Sequence, residues 1–203
     1  MTKRNDRGQM TRQHIIDVAT DLFTQAGYEA TSIEQVLQAC GISKGALYHH
    51  FAGKVELFTA VLEATEQHVA TRLSAASEGK TNPLDALRAG CAAWLSMARD
   101  PTVRQVVLLD APSAVGWQAW REIDDRHGLG LLKMALMAAA AEGRFSADLV
   151  DIHAHMLLAV LIEMSLLIAR AGDDDAQAAV RRGQVSVELV LSRVMGVEPN
   201  AAW

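Results

Sequence analysis

Apolar residues recur at spacings of three and four in one segment of this chain after another, the pattern of helices with one buried face. The sharpest short example is Ile33, Val36, Leu37 and Cys40, preceded by Thr31 with Glu34 three positions on, a pairing that reads as a capping box, and followed by Gly41 where a helix end favours a left-handed residue. Ser43 then stands as an N-cap, and Leu47 with Phe51 forms an i, i+4 apolar pair, so a second short helix turns back onto the same core. A third helix enters after Lys54. Two short helices around a glycine corner make a helix-turn-helix, a unit whose second helix fits the major groove of duplex DNA.

The outer face left by that pairing is Lys44, Gly45, Ala46, Tyr48 and His49. Gly45 and Ala46 carry little bulk, so the helix N-terminus with its free amides can come close to phosphates, while Lys44, Tyr48 and His49 reach sideways for phosphates or base edges. The alternative is an ordinary solvated helix face.

Downstream, start and stop signals divide the rest. Residues 54–77 read as one long amphipathic helix with an inner stripe of Phe58, Val61, Leu62, Val69 and Leu73, and with Val55 and Leu57 packing toward the preceding helices. Asn82-Pro83 opens a helix to about Arg99, and Asp100-Pro101 opens another that ends near Ala111-Pro112. Trp117 to Glu142 is helical but is bent or split by Gly128 and Gly130. Ala147–Arg170 and Ala176–Met195 close the chain around the loop 171–175. The first of these two has a wide apolar face, with Leu149, Ile152, Met156, Leu157, Val160, Leu161, Met164, Leu167 and Ile168, more than one neighbouring helix covers; a second copy of the chain is the natural cover.

At this point the motifs carry a resemblance. Ala19, Leu22, Phe23, Gly27-Tyr28, Thr31-Ser32-Ile33, the run Gly41 to Phe51, Lys54 and Leu57-Phe58 resemble, in order and spacing, the DNA-binding domain of the TetR family of transcriptional regulators. The resemblance implies an all-α fold: an N-terminal three-helix DNA-binding domain with a helix-turn-helix over residues 1–53, and a larger C-terminal helical bundle over 54–203 for effector binding and homodimerisation through the two C-terminal helices. It implies that Thr31 and Ser32 touch phosphate at the start of the second helix, that Ser43, Lys44, Gly45, Ala46, Tyr48 and His49 form the recognition surface, and that Lys54 clamps phosphate. The function expected is that of a homodimeric repressor released from a double-stranded DNA operator by a small-molecule effector. Two others are an effector-independent regulator or activator, and a helical small-molecule-binding protein that does not act on DNA.

Charge modifies this picture only by its distribution. The formal net charge is −5, yet residues 1–58 hold six basic and six acidic side chains, so the whole acidic excess lies beyond them. Four of the first twelve residues are basic and one is acidic, an arm that either lies along DNA or stays a solubilising tail. The N-terminus lacks a signal-type apolar core and no charge-free run of about eighteen apolar residues is seen, so a cytoplasmic protein outside the membrane is expected. Cys40 and Cys91 fall on apolar stripes and read as buried thiols.

For an effector, large or adaptable apolar groups in the body helices are the candidates: Trp94, Met97, Trp117, Trp120, Met134, Met137 and Met156, with Arg121, His127 or Glu163 as polar anchors. Enzymatic chemistry has little to work with. His153 and His155 point about 200° apart on a helix and do not share a metal. There is no glycine-rich phosphate loop or Gly-x-Ser-x-Gly elbow, and neither an enzyme nor a cofactor is expected.

Overall fold

The computed structural model describes residues 3–171 and 175–196, with side chains from residue 7 onward. The first residues of the basic arm and most of the acidic loop 171–175 therefore lie outside the described residues. Two compact units are present, Met1–Thr65 with Pro101–Trp120 and Glu66–Asp100 with Arg121–Trp203. No strand occurs among the described residues.

The first unit contains α1 (Lys3–Ala30), α2 (Ile33–Cys40), α3 (Lys44–His50), the opening turns of α4 (Lys54–Ser77), and a helical segment from Pro101 through α6 (Ala111–Ala114). Its core is Ile15, Ala19, Phe23, Val36, Leu47, Phe51, Leu57 and Phe58, all at most 1% exposed. Phe23, Tyr28 and Phe58 meet there, with edge-on contacts at 5.1 Å for Phe23–Phe58 and 4.9 Å for Tyr28–Phe58. Val55, in contrast to expectation, is exposed and only Leu57 packs inward.

The capping box is displaced by one residue from the one read in the sequence. Ser32, not Thr31, is the N-cap of α2, accepting from the Gln35 amide at 3.2 Å while Gln35 Oε1 accepts from the Ser32 amide at 2.7 Å. Thr31 instead turns inward, because α1 kinks at Gly27 (φ 79°) and the Thr31 hydroxyl donates to the buried Gly27 carbonyl at 2.8 Å. Gly41 ends α2 in the left-handed region and Ser43 caps α3, as the sequence predicts.

Pro112 does not end its helix. Residues 103–110 widen into a π-helix that runs straight on into α6. A proline lacks the amide for the carbonyl four residues back and its ring clashes with that carbonyl, so a looser winding just before Pro112 lets the chain continue helically.

The second unit packs α5 (Pro83–Met97), α8 (Gly128–Ala141), α9 (Val150–Arg170) and α10 (Ala176–Met195) against one another, with the end of α4 and most of α7 (Trp117–Arg126). Asn82 caps α5 with Pro83 in its first turn, and His127 separates α7 from α8 beside Gly128. α9 and α10 approach closely at Gly183, where a Cβ would lie 3.2 Å from Ile168 Cδ1. Across α5 and α10, Arg88 makes two bonds to the 2% exposed Glu188 carboxylate, at 2.9 and 2.7 Å, and Ser192 donates to the same group.

By length and composition Ala147–Arg170 is long and apolar enough to cross a membrane, although Glu163 interrupts its apolar run. Its Ala154, Leu157, Leu158, Leu161 and Ile168 are buried within the unit while Asp151, His155 and Glu163 are exposed, the pattern of a helix packed on one side by α8 and α10.

Candidate functional site

The short helix α3 is held from beneath by Leu47 and Phe51, 0% and 1% exposed, and its opposite face is bare. Ser43, Lys44, Gly45, Tyr48 and His49 are exposed and Ala46 is half-buried. Ser43 accepts from the Ala46 amide at 3.2 Å, so the cap is satisfied without covering the tip. A Cβ built on Gly45 meets nothing within 4 Å, so no neighbour within the chain requires a glycine there. Lys44 Nζ lies 5.7 Å from the Tyr48 ring, and the two rings of His49 and His50 meet edge-on at 5.1 Å.

Two of the remaining residues assigned to this surface are engaged elsewhere. Thr31 is 2% exposed with its hydroxyl given to Gly27 and Leu22 carbonyls, so it presents no free donor outward, contrary to the expected phosphate contact. Lys54 sits 4.1 Å over the Tyr28 ring and donates to the Glu29 carbonyl at 3.3 Å, a basic side chain drawn to the carbonyl end of α1. Ser32 is half-buried at the start of α2 as its N-cap.

Two family models match this chain: bacterial regulatory proteins of the tetR family over residues 15–61, and the tetracyclin repressor-like C-terminal domain over residues 84–193, which is more than half of the sequence. The chain belongs to the TetR family of transcriptional regulators. The transcriptional regulator AcrR of Shigella flexneri is 38% identical over 87 residues, covering 42% of this chain and 40% of that protein. TtgR of Pseudomonas putida is 32% identical over 89 residues, covering 42% and 41%. The match thus spans about two fifths of the length of these relatives. Among solved structures, a TetR-family regulator from Pectobacterium atrosepticum superposes with a TM-score of 0.77 at 26% identity, over 98% of this chain and 100% of that one. RolR in complex with resorcinol has the same fold, with a TM-score of 0.69 at 17% identity over 96% and 92%. The protein is accordingly a DNA-binding transcriptional regulator with an all-helical fold.

The second unit of this TetR-family protein holds an open-mouthed cavity of about 750 Å³. Its wall is built by the last turns of α4 at Thr71, Leu73, Ser74 and Ser77 with Glu78 just beyond them, by α5 at Leu87, Gly90, Cys91 and Trp94, by α8 at Leu131, Leu132 and Met134, by Leu158 and Leu161 of α9, and by Asp124 at the end of α7. Of the residues expected around an effector, Trp94 and Met134 sit on this wall. The others do not. Met97 is buried in packing; Trp120 is also buried and meets the exposed Trp117 edge-on at 5.0 Å in the first unit; Met137 and Met156 face outward at 61% and 48% exposed. Each is large and apolar, and periodicity alone does not say whether such a residue faces a cavity, a core or solvent. Neither His127 nor Glu163 is on the wall.

Arg121 is also off the wall, but it donates to Asp124 Oδ2 at 3.3 Å. The acids beside it escaped the sequence reading. Asp124 is 7% exposed and Glu66 2%, and Glu66 Oε2 has no hydrogen-bond partner. Burial, aided by the neighbouring Asp124 charge, pushes the Glu66 carboxyl up to about 8, and burial raises Asp124 as well against the pull of Arg121. The signal was present: Glu66 falls in register with Leu62, Val69 and Leu73 on the apolar stripe of α4, and Asp124 follows Trp120 and Ile123 on that of α7. A charged residue inside an apolar stripe marks a buried titratable group.

Proposed function

We propose that this regulator acts as a homodimeric repressor that leaves its DNA operator when a small molecule occupies the cavity of its second unit. The cavity carries this reading: about 750 Å³ of largely apolar space is in the size range of a ligand site and far beyond the voids that core packing leaves. A ligand that binds one arrangement of the protein better than another shifts the population by that difference in affinity and no more.

On DNA, Ser43, Lys44, Gly45, Ala46, Tyr48 and His49 form the reading surface, with Ser32 at the start of α2 beside it and Lys54 available once it exchanges the Glu29 carbonyl for a phosphate. The functional division falls between residues 53 and 54, with α4 the link. Dimerisation runs through α9 and α10, where Ile152, Met156, Leu167, Val185 and Leu189 are 48–59% exposed, an apolar surface that a second copy covers. Two α3 tips then enter successive major grooves about 34–36 Å apart. Such a protein works in the cytoplasm, where its operator is.

The test is selection of duplex DNA from a random pool by the purified chain, followed by titration of the selected site with a small-molecule library. A two-fold symmetric site released by a compound that binds the protein supports the reading. A selected site that no cavity ligand displaces supports an effector-independent regulator instead.

A further inference from the structure

Glu66 is a buried acid for which neither the DNA surface nor the cavity has a use. It is 2% exposed, its Oε2 has no hydrogen-bond partner, and it does not border the cavity. Asp124 of α7, 7% exposed, lies close enough for its charge to act on Glu66. Asp124 itself bonds to the Arg121 guanidinium, at 3.3 Å, and to the Leu129 amide at the start of α8. Two buried carboxyls therefore stand beside one guanidinium, and the set is in charge balance only while one carboxyl keeps its proton. Glu66, the one without the guanidinium, is placed to keep it. The position of this cluster in the chain gives it leverage. α4 runs unbroken from the first compact unit into the second, and the units divide at Thr65–Glu66; the chain crosses again at Trp120–Arg121, inside α7. Glu66 and Arg121 are thus the first residues of the second unit on two of the segments that enter it from the DNA-binding unit.

We propose that Glu66, Asp124 and Arg121 form a proton-operated latch that holds α4 inward beside α7 where both enter the second unit, so that alkaline conditions loosen α4 and weaken operator binding. The inference needs no ligand, and it uses the DNA reading by α3 only as its readout. With its proton, Glu66 is neutral and its turn of α4 stays buried. When the carboxyl O–H breaks and the proton passes to solvent, two carboxylates repel in a site of low dielectric, and moving that turn of α4 outward to water relieves the repulsion. α4 begins directly after the DNA-binding helices, so a loosened α4 leaves the α3 tips less fixed, and DNA must restore their spacing at a cost in affinity. Burial and the Asp124 charge bring Glu66 to about 8, which sets the range over which the latch opens. The groups acting on it are Asp124 of α7 and, through Asp124, Arg121 and Asp125 of the same helix and the Leu129 amide of α8. The closed form, which holds the proton, prevails below this range and is lost as pH rises through it.

Anisotropy titration of the full chain with its selected duplex from pH 7 to 9.5 at fixed ionic strength tests this, with circular dichroism following the fold at each pH. Wild-type affinity should fall about ten-fold or more across that range. Glu66→Gln, uncharged throughout, should bind at pH 7 as the wild type does and lose at most about three-fold by pH 9.5. Hydrogen exchange without DNA supplies a second measurement. In the wild type the amides of α4 and α7 around residues 66 and 124 should exchange about ten-fold faster at pH 9 than the intrinsic effect of pH explains, and Glu66→Gln should not show the excess. A wild-type affinity that does not change with pH, a fall that Glu66→Gln reproduces, or the same exchange in both proteins overturns the proposal. A chain that selects no duplex but opens with pH in the exchange measurement leaves the latch standing while the DNA reading falls. A chain that binds its duplex with the same pH profile in wild type and Glu66→Gln does the reverse.

Discussion

The Tyr28 amide donates to the Asp110 carboxylate at 2.7 Å, joining the kinked end of α1 to the last residue of the π-helical segment across 82 positions of sequence. The contact depends on Gly27, whose φ of 79° turns the chain out of α1 so that the next amide points at Asp110. Replacing Asp110 by alanine is expected to lower stability by about 1.5–3 kcal/mol, the range for a hydrogen bond to a charged group. Gly27→Ala should cost a similar amount or more, since the left-handed backbone is strained for alanine and its Cβ would lie 3.1 Å from Gln105 Nε2. Urea unfolding measures both, and wild-type midpoints in the two variants would show that this joint carries no stability.

Gly45 separates folding from recognition. Nothing in the chain occupies the space its Cβ would take, and helix propensity favours alanine over glycine by up to about 1 kcal/mol. Gly45→Ala should therefore leave the melting temperature unchanged or raise it, while Gly45→Leu, equally free of internal clash at Cβ, should weaken operator binding at least ten-fold by holding α3 away from the groove. Gel-shift titration beside a thermal melt checks the pair. Full operator affinity in Gly45→Leu would remove α3 from the interface.

In the second unit, the Arg88–Glu188 link is enclosed, whereas the Arg88–Asp85 pair has an exposed acid. Arg88→Ala leaves the Glu188 carboxylate buried without its guanidinium, and a loss of about 3 kcal/mol is expected. Asp85→Ala should cost at most about 0.5 kcal/mol, as exposed pairs do. Denaturant unfolding of the two variants gives the contrast directly; equal effects would contradict it.

The buried Glu66 makes stability fall with rising pH. Its ordinary value in the unfolded chain is near 4.5 and its folded value about 8, so between these the folded state holds a proton that the unfolded state has released. Stability is then greatest at the acidic side of that window and declines toward pH 8 by at most about 1.4 kcal/mol per pH unit, levelling above it. Glu66→Gln, neutral throughout, should flatten the decline. Unfolding free energies at intervals from pH 5 to 9 decide it, and parallel curves for the two proteins would contradict the assignment.

Local signals were legible wherever they depended on neighbours in sequence. Gly41, Ser43, Asn82-Pro83 and the break at His127–Gly128 each follow from backbone chemistry within a few residues, and the structure has them where the sequence predicts. Two residues four apart with apolar side chains, Leu47 and Phe51, sufficed to orient α3. What failed needed distant partners. Thr31 turns inward because of a kink fixed by Asp110, and the π-helix before Pro112 answers a steric conflict that a stop signal hides. The cavity wall depends on distant partners too: Met134, Met137 and Met156 are alike in sequence and all exposed, and only Met134 borders the cavity. Glu66 and Asp124 are legible from register, as charged positions within the apolar stripes of α4 and α7.

The proposed function turns on one contact, the reading of duplex DNA by the bare tip of α3 doubled by a second copy. Its most direct measurement is binding of the selected operator as a function of salt for the wild type and for Lys44→Ala and Tyr48→Ala, with dimer mass followed by sedimentation. Affinity should fall linearly with the logarithm of salt concentration, each substitution should weaken binding by about five-fold or more, and both variants should remain dimers. Wild-type affinity in both variants, or a monomer that ignores DNA at low salt, would contradict it.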